Sequence, residues 1–430
     1  MTYDTPAQFT MQGFGTPLQR DLLGEMERRI RAASLTITTQ MLQQSLEAEV
    51  TAEIGPCYAD GIGGLSLSWV CRDCGTHDRR QFRRDGHYGR SLTVRDGTIK
   101  LRMPLVQCRC KGYVAIPWQT IDARARYWYD IGLDDVRHYL AGMSYRLVGD
   151  AASTQAQTDI SHVQAWRTMQ EVGAQEDTTG TAVGACPHSV ILDEAYISVA
   201  GEKKVYLLAV ADDGRVLAVR GPTERTLASW QALIEGLTEQ QISPFHGLVG
   251  VTYDGDLAIR GAVQLVWPRV VLQQCVWHIL ERVADDVADV HGAQAPEVER
   301  IVGQAARIFL RNPERPDAEA RARVHLTEFV VEHGEAAWAQ TVSRAFSEGT
   351  EYLRTPGLQR TSGLAERTIK ELRRRTKTMD GFKSEDGSKH FALIWRVWKN
   401  MRSAMNKEQA KLVRHRIRKR HLKVCHVILS

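Results

Sequence analysis

The first long segment of the chain repeats its apolar residues at the spacing of a helix. Within the stretch from Leu18 to about Val50, which is rich in helix formers, apolar side chains recur every three or four positions, as Leu22, Leu23, Met26 and Ile30. This pattern predicts an amphipathic helical arm within residues 1–56. The arm shows no chemistry of its own and is a candidate surface for packing on a partner protomer.

Residues 188–200 have the pattern of a buried strand that is interrupted by acids. The segment is apolar and β-branched except at its centre, where Asp193 and Glu194 stand. A buried charge without a partner is costly, so a carboxylate in such a strand needs a reason, and a bound metal ion is one.

The pattern after this strand predicts a mixed sheet with helices. Two further strands, 204–211 and 215–220, are joined by the hairpin signal Asp212-Asp213-Gly214. A helix at 226–237, a strand ending at Asp254, a helix at 257–266 and a strand at 269–274 follow. The order β-β-β-α-β-α-β is that of a ribonuclease H-like fold.

Composition adds that the chain is globular and has several domains. It has 430 residues, of which 43% are hydrophobic, and a net charge of +5. The N-terminus lacks the pattern of a secretory signal, and no apolar run is long enough to cross a bilayer, which predicts a cytoplasmic protein without a membrane partner. The 8 cysteines are then expected to be reduced.

Four of these cysteines have the spacing of a structural zinc site. Cys71 and Cys74 precede a predicted hairpin, whose turn is expected at 95–97, and Cys108 and Cys110 follow it. The hairpin brings the pairs together as in a zinc ribbon, and four thiolates suit Zn²⁺ best. His77 or His87 could replace a cysteine, and the alternative is four thiols without metal.

Three short helices after this segment predict a helix-turn-helix. They are expected at 134–141, 144–152 and 161–170, with Ser144 and Ser161 as N-caps. The third would face a DNA major groove with Ser161, His162, Gln164 and Arg167. Many three-helix units bind nothing, so this alternative stays open. The arginines at 72–90 are likewise either a phosphate-contacting surface or a solvated face.

A third acid completes a possible metal centre. The first and fourth strands of the predicted sheet are neighbours, so Asp193 and Asp254 are expected to converge, and two carboxylates alone hold Mg²⁺ weakly. Glu366 is the candidate third ligand, in a basic helix that opens with Ser362 as a possible cap.

These motifs together resemble the DDE transposases of the Mutator-like superfamily, in its bacterial insertion-sequence branch. The matching pieces are spaced along the chain in the same order: the strand with Asp193, Asp254-Gly255, Cys275-Val276-Trp277-His278, the helix with Glu366, the run 373–376, and Gly381-Phe382. The similarity covers roughly residues 127–382.

The resemblance implies a ribonuclease H-like catalytic core with an all-helical insertion between the last strand and the glutamate helix. Helices at 283–290, 296–310 and 318–333 fit that insertion. The expected organisation is an arm at 1–56, a zinc-ribbon-like segment at 57–120, a helix-turn-helix at 121–178, a core at 186–278 and 355–400, an insertion at 279–354 and a basic tail at 401–430.

The resemblance also implies the roles of the site residues. Asp193, Asp254 and Glu366 would hold two Mg²⁺ or Mn²⁺ ions, while Cys275 and His278 would support the site structurally. From residue type and spacing alone, Cys275 and His278 also look like two zinc ligands, but two ligands do not make a zinc site. Glu194 is expected on the opposite sheet face, Glu371 on another helix face, and Asp256 is a rival of Asp254.

The helix after Glu366 carries a dense set of basic residues that would contact DNA phosphates, namely Arg367, Lys370, Arg373, Arg374 and Arg375. The leading hypothesis is a metal-dependent transposase that binds terminal inverted repeats, and then cleaves and joins double-stranded DNA as a homodimer or larger assembly. It would work at the bacterial nucleoid. The rivals are a domesticated DNA-binding protein and a nuclease that cleaves without joining.

Overall fold

The computed structural model describes residues 17–54, 69–121, 125–179, 184–378 and 381–404. Most of the predicted basic tail and the first part of the zinc-ribbon-like segment lie outside these ranges. The chain divides into two compact units, Met1–Thr168 and Met169–Ser430. The division falls inside a helix, and each unit is described by itself.

The first unit is built around a long hairpin. Strand β2 (Phe82–Val94) pairs with β3 (Gly97–Cys108) in antiparallel register, with Val94 opposite Gly97. The turn is therefore Arg95-Asp96. Gly97 has a backbone φ of 149°, a value that residues with a side chain rarely adopt. Two short strands, β1 (Val70–Cys71) and β4 (Val114–Ala115), pair beside the hairpin and close the cysteine-bearing end.

The predicted N-terminal helix, α1 (Pro17–Ile54), has two apolar faces. One face is buried: Leu42 and Leu46 pack on the β2–β3 hairpin, and Val50 and Ile54 pack around Cys71. The other face remains exposed in the first part of the helix. It consists of Leu22, Leu23, Met26, Ile30, Ile37 and Met41, which we call the α1 stripe.

Three helices follow, as predicted, although each is longer than the pattern indicated. They are α2 (Tyr129–Ala141), α3 (Tyr145–Ala156) and α4 (His162–Thr179). The Ser144 hydroxyl accepts a hydrogen bond from the Leu147 N–H at 3.3 Å, which confirms the predicted cap. A Cβ at Gly149 would lie 2.9 Å from the backbone N of His162, so only glycine permits α3 and the start of α4 to approach this closely.

The second unit contains a five-stranded mixed sheet. Its strands are β5 (Ser189–Val199), β6 (Glu202–Ala211), β7 (Val216–Thr223), β8 (Gly250–Tyr253) and β9 (Val271–Gln274), in the spatial order β7-β6-β5-β8-β9. The first three are antiparallel, and β8 and β9 run parallel to β5. Helices α5 (Leu227–Glu239) and α6 (Leu257–Val266) connect them, so the predicted element order is confirmed.

Four helices follow β9 and share one hydrophobic core. They are α7 (Val276–His291), α8 (Pro296–Phe309), α9 (Ala318–His333) and α10 (Ala337–Gly349). The predicted helices at 296–310 and 318–333 match α8 and α9. The first helix begins at Val276, earlier than expected, and α10 was not predicted.

Two helices complete the unit on the other face of the sheet. Helix α11 (Gly363–Lys377) packs Ala365 against Ile191 of β5, whereas α5 and α6 pack against Val190 and Leu192. Helix α12, at 385–404, holds the edge strand, since its Arg396 donates a hydrogen bond to the Leu217 carbonyl at 3.0 Å.

The Gly381-Phe382 motif lies beside the far end of β5. The Phe382 N–H donates to the Ser198 carbonyl at 2.9 Å, and the Ala200 N–H donates to the Phe382 carbonyl at 2.6 Å. Gly381 has a φ of 78°, and a Cβ there would lie 2.8 Å from the Ser198 carbonyl oxygen. This motif therefore requires its glycine and fixes the strand that carries Asp193.

Candidate active site

Parallel pairing of β5 with β8 places the first two candidate acids side by side. Ser189, Val190 and Ile191 pair with Gly250, Val251 and Thr252. Two residues further along each strand are Asp193, inside β5, and Asp254, directly after β8. The carboxyl end of β8 therefore meets the middle of the neighbouring strand.

Asp193 is buried, with 9% of its surface exposed. Burial raises the pKa of its carboxyl to about 6, and the negative charges of Asp254 and Glu366 act in the same direction. The Glu194 N–H, which donates to Oδ1 at 2.8 Å, and the nearby His278 oppose this rise. Negative charge gathered near a buried carboxylate favours the binding of a cation.

Glu366 reaches the same region from the first turn of α11. The packing of Ala365 on Ile191 brings the start of this helix against β5, and Glu366 itself is exposed. Its Oε1 accepts a hydrogen bond from the Ser362 hydroxyl at 2.7 Å. Ser362 occupies the predicted N-cap position, but its side chain makes no capping bond, so that part of the prediction is wrong.

Cys275 and His278 lie next to Glu366. The buried Cys275 sulfur, at the start of α7, accepts from the Ser362 N–H and lies 3.3 Å from the Ser362 hydroxyl oxygen. The interaction with Cys275 is the main reason that the pKa of His278 is raised to about 9. One ligand atom from each of Cys275, His278 and Glu366 lies within 4.8 Å of the others.

Arg225 is a component that the sequence did not reveal. It lies between β7 and α5, and its guanidinium contacts three carboxylates: Glu194 at 3.0 Å, Asp254 at 2.9 Å and Asp256 at 2.6 Å. Such a fork of donors fixes the orientation of the carboxylates it contacts. A lone arginine before a helix cap gives no signal in the sequence, because its partners are far away along the chain.

The rival acids have other contacts. Glu194 lies on the α5/α6 side with Arg225, as strand alternation predicts, and burial raises the pKa of its carboxyl to about 7. Asp256 caps α6 by accepting from the Ala258 N–H at 2.6 Å. Glu371 accepts from Lys399 Nζ at 2.5 Å. Asp254 shares the Arg225 contact with Glu194 and Asp256, but Asp254 and Glu366 are the two acids whose charges raise the pKa of Asp193.

The four predicted cysteine ligands converge in the first unit. Sγ of Cys71 lies 3.5 Å from that of Cys110, Sγ of Cys74 lies 3.8 Å from that of Cys108, and all four sulfurs lie within 4.8 Å of one another. A tetrahedral zinc with Zn–S bonds of about 2.3 Å requires sulfurs about 3.8 Å apart. The side chains therefore fit zinc.

The two alternative histidine ligands are used elsewhere. Nδ1 of His77 lies 2.9 Å from the Trp69 carbonyl oxygen, and Nε2 of His87 lies 2.7 Å from Glu47 of α1. Two arginines of the 72–90 cluster also pair with α1: Arg79 with Glu53 at 2.7 Å, and Arg84 with Glu47 at 2.6 Å. Part of this cluster therefore stabilises the first unit.

The family model for the Mutator family of transposases matches residues 68–403, a span that includes both the cysteine cluster and the acidic site. The chain belongs to the Mutator family of transposases. A comparison with curated proteins found no match. Membership of a transposase family indicates a DNA-processing enzyme that binds DNA. No helix in the described part of this Mutator-family chain is long and apolar enough to span a membrane.

The predicted DNA-contacting side chains of this family member are mostly exposed. On α11, Arg367, Lys370, Arg373 and Arg374 are exposed and Arg375 is half-buried. At the start of α4, Ser161, His162 and Arg167 are exposed and Gln164 is half-buried. Trp166, with 48% of its surface exposed on the same helix, was not predicted and offers a stacking surface.

The charge cluster predicts a pH-dependent gain in stability for Asp193→Asn. The folded-state pKa of Asp193 lies above its ordinary value of 3.8, so folding resists ionisation of this group. Its destabilising effect is absent below about pH 4 and complete above about pH 7. Without divalent metal, we expect the free energy of unfolding of the variant to exceed that of the parent by on the order of 2 kcal/mol at about pH 8. At about pH 4 the two free energies should differ little.

Urea unfolding in EDTA at both pH values measures this difference. Asp285→Asn, at an exposed position of α7, is the matched control and is expected to show no such dependence. Equal stability of Asp193→Asn and the parent at the higher pH would show that ionisation of Asp193 does not destabilise the fold.

Proposed function

We propose that this chain is the transposase of a bacterial insertion sequence, and that it cleaves and joins DNA with two divalent metal ions held by Asp193, Asp254 and Glu366. The observation that carries the proposal is that Asp254, after β8, and Glu366, in α11, lie close enough to Asp193 of β5 for their charges to raise its pKa. The strand order β7-β6-β5-β8-β9, with three antiparallel strands followed by two parallel ones, supports a ribonuclease H-like core. Helices α7–α10 then form the insertion before the glutamate helix.

The donor set fits hard cations such as Mg²⁺ or Mn²⁺, because it consists of carboxylate oxygens. When bound, two such ions activate a water or a DNA 3′-hydroxyl and stabilise the leaving oxygen of the phosphodiester. Arg225 holds the Asp254 carboxylate in place, and Ser362 holds that of Glu366. The exposed arginines and lysine of α11 bind the phosphates of the DNA that lies across the site.

The proposal also gives roles to the remaining parts of the chain. The four cysteines hold a structural zinc, and the helices at 129–179 form a helix-turn-helix that reads the terminal inverted repeats. The seven-residue spacing of Leu23, Ile30 and Ile37 in the α1 stripe is that of a helix seam, which supports a homodimer. Such a protein acts on double-stranded DNA at the bacterial nucleoid in the cytoplasm.

Catalysis is tested with labelled ends of the element that encodes the chain, a target plasmid, and Mg²⁺ or Mn²⁺. We expect joined products from the parent and from Asp285→Asn. Asp193→Asn should lose at least about 100-fold in rate, since losing even a ligand's hydrogen-bond partner costs 10–100-fold. Binding without cleavage by the parent would favour a domesticated DNA-binding protein, and cleavage without joining would favour a nuclease.

Zinc is tested by metal analysis of the purified chain after dialysis against a weak chelator. We expect one zinc per chain, its loss in Cys108→Ser, and its retention in Cys186→Ser, where the cysteine lies outside both ligand clusters. Because the site closes a small hydrophobic core, the zinc-free protein should also unfold at lower temperature. Less than half a zinc per chain would argue against the site.

The dimer is tested by light scattering on the Ile30→Glu/Ile37→Glu variant. Charges in the α1 stripe should give a monomer, because they would be desolvated in a helix seam. Val331→Glu changes an apolar residue of α9 that is 80% exposed and should leave the mass unchanged. A dimer that survives the double substitution would exclude the α1 stripe as its interface.

A further inference from the structure

Cys275, His278 and Glu366 form a second group of metal-ligating atoms, separate from the cysteine cluster. In the part of the chain that the structure describes, this group and the cysteine cluster are the two sets of three or more potential ligands whose ligand atoms all lie within 4.8 Å of one another. The sequence offered only a Cys-His pair, three residues apart at the start of α7. The fold adds a carboxylate from α11.

The polar atoms at this point are already arranged for a cation. The Ser362 N–H donates to the buried Cys275 sulfur at 3.3 Å, a contact that favours a negatively charged sulfur. His278 lies against Cys275, but its buried Nδ1 makes no hydrogen bond of normal geometry to a described residue. A metal ion would take the place of the proton between these two side chains and satisfy that nitrogen.

The ligand types select the metal. Thiolate and imidazole prefer zinc and similar ions, whereas Mg²⁺ prefers an all-oxygen shell. Three protein ligands with a fourth position left for water is a common zinc arrangement. The group therefore differs in chemistry from the three carboxylates of the proposed catalytic centre, although Glu366 belongs to both.

We propose that Cys275, His278 and Glu366 bind a thiophilic divalent ion such as Zn²⁺, and that this ion inhibits the enzyme by taking Glu366 from the catalytic centre. The binding site follows from the geometry alone, and the inhibition rests on the proposed catalytic function. Charge adds to the competition: His278 lies close enough to influence Asp193, so a zinc ion on His278 repels a cation at Asp193 and Asp254.

Binding is measured first, on the full chain, without any activity. The protein is dialysed against excess Zn²⁺, washed by gel filtration and analysed for bound metal. The parent is expected to hold one more zinc per chain than Cys275→Ser, and Glu366→Gln should bind this ion at least tenfold more weakly. Cys186→Ser, which removes a half-buried thiol outside the group, should match the parent.

His278→Gln provides a second variant, because its ring is partly exposed and its replacement disturbs the core less than Cys275→Ser does. Cobalt binding gives an independent readout, since a thiolate ligand produces a charge-transfer absorption band. The band should be weaker in Cys275→Ser than in the parent. Equal zinc content in the parent, Cys275→Ser and His278→Gln would overturn the proposed site.

Inhibition is measured next, as cleavage at fixed Mg²⁺ with increasing Zn²⁺. We expect loss of at least 90% of the parent's rate once the second zinc is bound, and recovery when Mg²⁺ is raised or zinc is chelated. An unchanged rate with the second zinc bound would overturn the inhibitory role. A parent that binds the extra zinc but never cleaves DNA would instead refute the proposed function and leave the metal site standing.

Discussion

The parallel pairing of β5 with β8 is the constraint on which the acidic site depends. It sets Ser189 opposite Gly250, and the same register carries Asp193 to the level of Asp254. Because side chains alternate along a strand, a slip by one residue would turn Asp193 toward α5 and α6 and leave Glu194 facing α11. The strand is held along its length: β6 pairs with it from Val190 to Val199, β8 pairs near its start, and Phe382 fixes its far end. Helix α11 then packs on the strand face that Asp193 shares with Ile191, and this packing brings Glu366 to the site.

The site concentrates negative charge that the fold must tolerate. Burial raises the pKa of both Asp193 and Glu194, so the folded chain resists their ionisation. Arg225 offsets part of this cost on the α5/α6 side, where it contacts three carboxylates. On the α11 side the balancing groups are His278 and, in the proposed function, the metal ions. A binding site of this kind trades stability for the capacity to hold a cation.

Much of the fold could be predicted from the sequence, because its signals are local. The apolar runs and the Asp212-Asp213-Gly214 turn predict the strands of the sheet, and cysteine spacing around one hairpin predicts the cluster of four sulfurs. The role of Glu366 rests on the resemblance, since nothing local joins a helix so far along the chain to β5. Arg225 and the Ser362 contacts escaped prediction for the same reason: their partners lie far away in sequence and near in space. Ser362 looked like a helix cap, yet its hydroxyl donates to Glu366 instead.

In the proposed function, Asp193, Asp254 and Glu366 hold the catalytic metal ions. Anomalous diffraction from crystals of the chain with a DNA end and Mn²⁺ locates these ions without reference to activity. We expect Mn²⁺ peaks within bonding distance, about 2.2 Å, of oxygens from all three carboxylates. Mn²⁺ peaks bound by Glu194, Asp256 or Glu371 in place of any of the three would contradict it.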